Sequence, residues 1–207
     1  MLPLALVGSK TASTFGLVSW VTGHSGQAMR INSQGGGASI SDLLSQFGNR
    51  ALSVSAWVNY SGHFIGHVRH EHIFFSTNNN TSRDMDLFAE RPTSPLAQTF
   101  AWAQGNGTQF VTGRRASWVA APNSWHHVVL GRDAVGTQYL CEDGAITGSN
   151  ARGSNFVHSP AATFYLGRNT YDNGGRSFPG AIDDVKAYSG WVGAAGCAAL
   201  YTDTCDE

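Results

Sequence analysis

The stretch Ser124 to Gly148, SWHHVVLGRDAVGTQYLCEDGAITG, constrains the fold more tightly than any other part of this chain. Trp125 to Leu130 is aromatic and β-branched, and Gly131-Arg132-Asp133 with Gly136 supplies a reversal. Thr137 to Glu142 then runs extended until Asp143-Gly144 turns the chain again. Asp-Gly suits a two-residue type I′ turn, which needs positive φ at both central positions, taken freely by Gly and tolerated by Asp. A hairpin with a second hairpin turn directly behind it belongs to an antiparallel, all-β fold.

The remaining sequence continues in that manner. Leu52 to Asn59 alternates Leu, Val, Ala and Val with Ser, Ser, Trp and Asn, so both faces carry something worth burying, as in the central strand of a two-sheet sandwich. Strands are expected at Leu4–Val7, Leu17–Val21 and Leu87–Ala89, and a hairpin from Thr99 to Val111 around Gly105-Asn106-Gly107. Ala38 to Phe47 suits a strand edge or a short helical turn equally well. With 207 residues, 25 glycines and no linker, one large all-β domain (1–207) accounts for the whole chain. Residues 1–22 form an atypical pair of opening strands, and 191–207 a closing turn. The apolar start MLPLALVGSK is too short to cross a bilayer and lacks the positive flank of a signal peptide.

Five ordered pieces together carry a family resemblance: Gly23 to Ile31, Leu52 to Val58, Trp125-His126-His127-Val128 with Arg132-Asp133 and Asp143-Gly144, Phe164 to Gly167, and Phe178 to Tyr188. In this order they resemble a laminin-G-like domain of the concanavalin A-like lectin and glucanase group. The resemblance implies a two-sheet antiparallel jelly-roll sandwich with little helix. Trp57, Trp125 and Tyr188 are expected to fill the space between the sheets, since large aromatics carry such cores.

Chemistry-bearing residues are sparse. A net charge of −1, with only 13% of residues charged and no Lys/Arg run, argues against nucleic acid as a partner. Glycoside hydrolases of the resembling fold place paired acids along one strand in the pattern Glu-x-Asp-x-x-Glu, which is missing here. Glu142-Asp143 and Asp183-Asp184 are adjacent pairs whose members point to opposite strand faces and so cannot flank one glycosidic bond. No Gly-x-Ser-x-Gly elbow is present. The His63, His67, His70, His72 cluster sets His70 and His72 on one strand face, a geometry that can ligate a transition metal but also reads as a solvated loop. Oxygen ligands suited to calcium gather at Asp84 and Asp86 behind an Asn-rich loop, and at Asp183 and Asp184. One of the latter two must face away from the core if Ile182 and Val185 are buried, by way of a local bulge.

Of three cysteines, Cys197 and Cys205 are close enough in sequence for a helical turn and a reversal to bring them within bonding distance, leaving Cys141 as a buried strand thiol. Such a bond implies an oxidising setting, at an extracellular or particle surface. Binding is then the expected function, with no catalysis and no membrane insertion. The partners are glycans or neighbouring subunits of a surface assembly, with calcium as the candidate ion. The alternatives are a decoration subunit of a virion or filament, and a glycoside hydrolase of the same fold.

Overall fold

The computed structural model describes residues 12–41, 43, 51–62, 70–77, 83–90, 99–105, 110–114, 123–151, 163–169 and 176–203. In chain order the strands are β1 (Ser13–Phe15), β2 (Val18–Thr22), β3 (Gln27–Ile31), β4 (Gly37–Ile40), β5 (Leu52–Tyr60), β6 (His70–Thr77), β7 (Arg83–Glu90), β8 (Thr99–Gly105), β9 (Phe110–Arg114), β10 (Trp125–Arg132), β11 (Thr137–Glu142), β12 (Ala145–Ala151), β13 (Thr163–Leu166) and β14 (Gly180–Ser189). They are followed by the helix α1 (Gly193–Thr202). The strands form two seven-stranded antiparallel sheets, a back sheet in the order β1-β4-β13-β6-β7-β8-β9 and a front sheet in the order β12-β11-β10-β5-β14-β3-β2. The expected strand at Leu4–Val7 lies outside the described residues, and Ala38 to Phe47 opens as a strand, β4, with residues 44–47 also outside them.

The central hairpin forms as its sequence requires. Asp143 (φ 47°) and Gly144 (φ 82°) both take positive φ between β11 and β12. Strand β5 lies at the middle of the front sheet, between β10 and β14. Its Leu52, Val54, Ala56, Val58 and Tyr60 point inward and meet Phe74, Leu87, Phe100, Trp102 and Phe164 of the back sheet in one core.

The opposite face of β5 is where the structure departs from expectation. Trp57 lies on the outer face of the front sheet, with its register partners His127 and Asp183. Trp125 falls in the adjoining outer row, opposite Asn59. Tyr188 belongs to a second apolar cluster with Val129, Cys141, Val192 and Cys197. The three aromatics expected between the sheets therefore all sit outside them. The space between the sheets is filled by the aliphatics and Tyr60 of β5 facing Phe74, Phe100, Trp102 and Phe164, while the C-terminal helix and the turn before β3 cover Trp57 on the outer face.

A disulfide explains how the helix stays there. Cys141, at the outer face of β11, is bonded to Cys197 of α1 across 56 positions of sequence, with Cα atoms 6.3 Å apart. This corrects the expected Cys197–Cys205 pairing and the free thiol at Cys141; Cys205 lies outside the described residues. The helix lands on the front sheet, so the nearest cysteine in space is the one on β11. Trp191 stacks on Tyr139 beside the bond, with ring centroids 4.5 Å apart. Among the described residues no helix is long and apolar enough to cross a membrane.

Candidate functional site

Register builds one row of side chains across the outer face of the front sheet. Trp125 pairs with Asn59, Asn59 with Ala181, Ala181 with Arg30 and Arg30 with Ser19. Because strand side chains alternate, all five point to the same side. A small residue, Ala181, separates Asn59 from Arg30, and next to it is Gly180, where a Cβ would run into the Asn59 carbonyl oxygen. The result is a cleft of about 360 Å3 with Gly180 and Ala181 among its walls and Trp125, Asn59, Asn123 and Arg30 around them. That volume falls within the range of ordinary ligand sites, ~300–1,000 Å3.

The cleft is held by its surroundings. Asn123 adopts a left-handed backbone (φ 62°), which Asn tolerates, and its N–H donates to the Tyr60 carbonyl at 2.7 Å. Ser61 Oγ donates to the Pro179 carbonyl at 2.9 Å, fixing the rim beside it. Trp125 and His24 meet in a T-shaped arrangement with ring centroids 6.4 Å apart, and His24 stacks flat on Trp57 with centroids 3.5 Å apart. The turn bearing His24 is pinned by the Ser25 N–H, which donates to Asp183 Oδ2 at 3.1 Å. Tyr201 of α1 covers Trp57 further along, with ring centroids 5.6 Å apart. Trp57 is thus an internal support, and Trp125 is the half-buried aromatic that reaches the cleft.

Next to Trp57, His127 is buried, and the loss of water holds its pKa well down, at about 4, against the pull of the Asp143 and Asp184 carboxylates. Its neighbour His126 hydrogen-bonds through Nδ1 to Asp143 Oδ2 at 2.8 Å. Asp143 Oδ1 accepts the His127 N–H. Burial disfavours the Asp143 carboxylate, but these two hydrogen bonds and the nearby imidazoles outweigh it and leave its pKa below the usual value. The His126-His127 pair is therefore scaffold for the turn and the aromatic layer.

The acids singled out in the sequence lie elsewhere. Asp183 Oδ2 accepts from Ser25 and Oδ1 from the Asp184 N–H. Asp184 pairs with Lys186 at 2.9 Å, at the register shift between Asp183 and Lys186, where the sequence reading allowed for a local bulge. Asp86 is buried on β7, and His72 Nδ1 donates to its Oδ1 at 2.6 Å, while His72 Nε2 accepts from Asn169 at 3.1 Å. This chain ties β6 and β7 to the segment after β13 and gives Asp86 and His72 a structural task. Asp84 lies in β7 with its side chain outside the described residues, as are the side chain of His70 and all of His63 and His67. Among the described residues no three His, Cys, Asp or Glu side chains are placed to hold one metal ion. Arg30, Asn59 and Asn123 escaped the sequence reading, since they lie on separate segments that only the strand register brings together.

A family model described as the concanavalin A-like lectin/glucanases superfamily matches residues 32–195. The chain belongs to this superfamily. No curated protein sequence matches it significantly. Among solved structures, this concanavalin A-like chain is similar to domain 4 of an extracellular arabinanase from Geobacillus stearothermophilus, solved in complex with arabinotriose. The TM-score is 0.69 at 21% identity, over 94% of this chain and 89% of that one. It is also similar to the binding domain of Paraclostridial mosquitocidal protein 1, with TM-score 0.69 and 12% identity over 93% of this chain, which spans about half (47%) of that structure. A pentraxin from Limulus polyphemus is similar at TM-score 0.59 and 14% identity, over 74% of this chain and 70% of that one. At these identities the likeness is one of fold.

Proposed function

We propose that this domain binds a saccharide without chemically changing it, in the cleft between Trp125 and Arg30. The observation that carries the reading is the cleft lining itself: the row's aromatic ring, amide and guanidinium, joined by the Asn123 amide, along a recess with a small-residue wall. Indole faces accept the apolar faces of sugar rings, and fixed amides select hydroxyls by direction. Asn59, Asn123 and Arg30 make no side-chain hydrogen bond among the described residues, so their capacity is unspent. The arabinanase domain solved with arabinotriose supports a sugar-binding reading of this fold.

Among the described residues the lining holds no carboxylate and no imidazole, which supports binding without catalysis. Glycoside hydrolysis needs two acids about the scissile bond, and neither is among the described residues of the cleft. Among the described residues the lining holds no carboxylate for calcium, so chelator is expected to leave binding unchanged. The Cys141–Cys197 bond suits an oxidising, extracellular setting.

The test is a glycan array followed by calorimetric titration of the strongest binder against wild type and Trp125→Ala. Truncating a central aromatic anchor costs about 2 kcal/mol or more, so the variant is expected to bind roughly 30-fold more weakly. Wild-type affinity in the variant overturns the site. Absence of any saccharide signal, together with regular oligomers of the pure protein, would favour a structural subunit instead.

A further inference from the structure

We infer that the saccharide taken by this cleft is acidic, with a uronic-acid carboxylate seated on Arg30 and a different sugar unit against Trp125. This rests on the saccharide reading above and adds the chemical class of the ligand.

Arg30 is the single charged residue among the described residues of the cleft lining. The other cations whose side chains are described are engaged: Arg168 donates to the Gly35 and Asn169 carbonyls and lies over the Phe15 ring. Lys186 pairs with Asp184 and Asp203, and Arg132 and Arg176 have partners as well. Arg30 has no hydrogen-bond or ion-pair partner among the described residues. An isolated exposed arginine is ordinary on a protein surface. This one stands in register with Asn59 and Trp125, across the small Ala181, where a ligand would take its water away.

The nearest carboxylate along β14 does not answer it. Asp183 spends its two oxygens on the Ser25 and Asp184 amides. A neutral glycan in the cleft could offer the guanidinium hydroxyl acceptors but no opposite charge, so the removal of its water would be only partly offset. A planar carboxylate fits the fork of guanidinium N–H groups with two parallel hydrogen bonds.

Spacing divides the ligand. Trp125 and Arg30 lie three strands apart, about 14 Å at ~4.7–4.9 Å per interstrand step. That backbone separation exceeds the length of one sugar ring, so we assign stacking and charge pairing to different units of an oligosaccharide.

The experiment titrates the protein with oligogalacturonides, oligoguluronates and glucuronate-bearing xylo-oligosaccharides, each beside its carboxyl-reduced counterpart. At least one acidic form is expected to bind about tenfold or more tightly than its reduced twin, with the preference lost in Arg30→Gln. Arg30→Lys, which keeps the charge and loses the fork, is expected to fall between. Equal binding of acidic and reduced forms overturns this inference and leaves the saccharide reading standing. A preference that survives Arg30→Gln overturns the role of Arg30. Failure of every acidic and reduced probe, together with a silent neutral glycan array, overturns both readings.

Discussion

Breaking the bond between Cys141 and Cys197 separates the two possible pairings by magnitude. The bond closes a loop of 56 positions. On the chain-entropy model a loop of that length stabilises by about 4 kcal/mol at 25 °C, whereas the eight-position loop of a Cys197–Cys205 bond would contribute only about 2.5 kcal/mol. For a domain of this size each kcal/mol moves the melting temperature by ~2–4 °C, so Cys197→Ala should lower it by roughly 8–16 °C. Thermal unfolding by circular dichroism, with and without reductant, measures this. Cys141→Ala and Cys197→Ala are expected to melt alike and to be insensitive to reductant, and their double variant to lose little more, since both remove one interaction. Cys205→Ala should melt as wild type does. The reasoning is refuted if Cys205→Ala and Cys197→Ala fall together while Cys141→Ala does not, or if peptide mapping without reductant links Cys197 to Cys205.

Two further changes test the layer beneath the helix. His127 has a pKa near 4 in the fold, below the ordinary 6.5 of an unfolded chain, so the unfolded state binds the proton first on acidification. Its contribution is complete above pH 6.5 and is lost progressively as pH falls toward 4, roughly 3 kcal/mol in all. Urea unfolding across this range should show a steeper decline for wild type than for His127→Gln, and parallel curves would contradict the buried neutral imidazole. At Gly131 a Cβ would overlap the six-membered ring of Trp191. Gly131→Ala is expected to destabilise by ~1–3 kcal/mol through overpacking, with an altered tryptophan emission, whereas an unchanged urea midpoint would place Trp191 elsewhere.

Much of the architecture was legible because it is set locally. The Asp143-Gly144 turn needs positive φ at two successive residues, and β5 alternates because strand side chains do; neither depends on distant partners. The bulge after Asp183 was legible too, since Ile182 and Val185 cannot both face the core with two acids between them in regular alternation. Which face of β5 lies between the sheets was a different matter. Both faces carry residues worth burying, and the choice is made by what covers the other side: here His24 and Tyr201 close over Trp57, leaving the aliphatic face to the back sheet. Cysteine pairing depended on the same event. Sequence distance favours Cys205 for Cys197, but α1 packs over Val129 and Tyr188 and so brings Cys197 to Cys141. The candidate site was least visible of all. Arg30, Asn59, Trp125 and Ala181 become neighbours only through the register of four strands, and one residue of slip in any of them would turn its side chain to the opposite face.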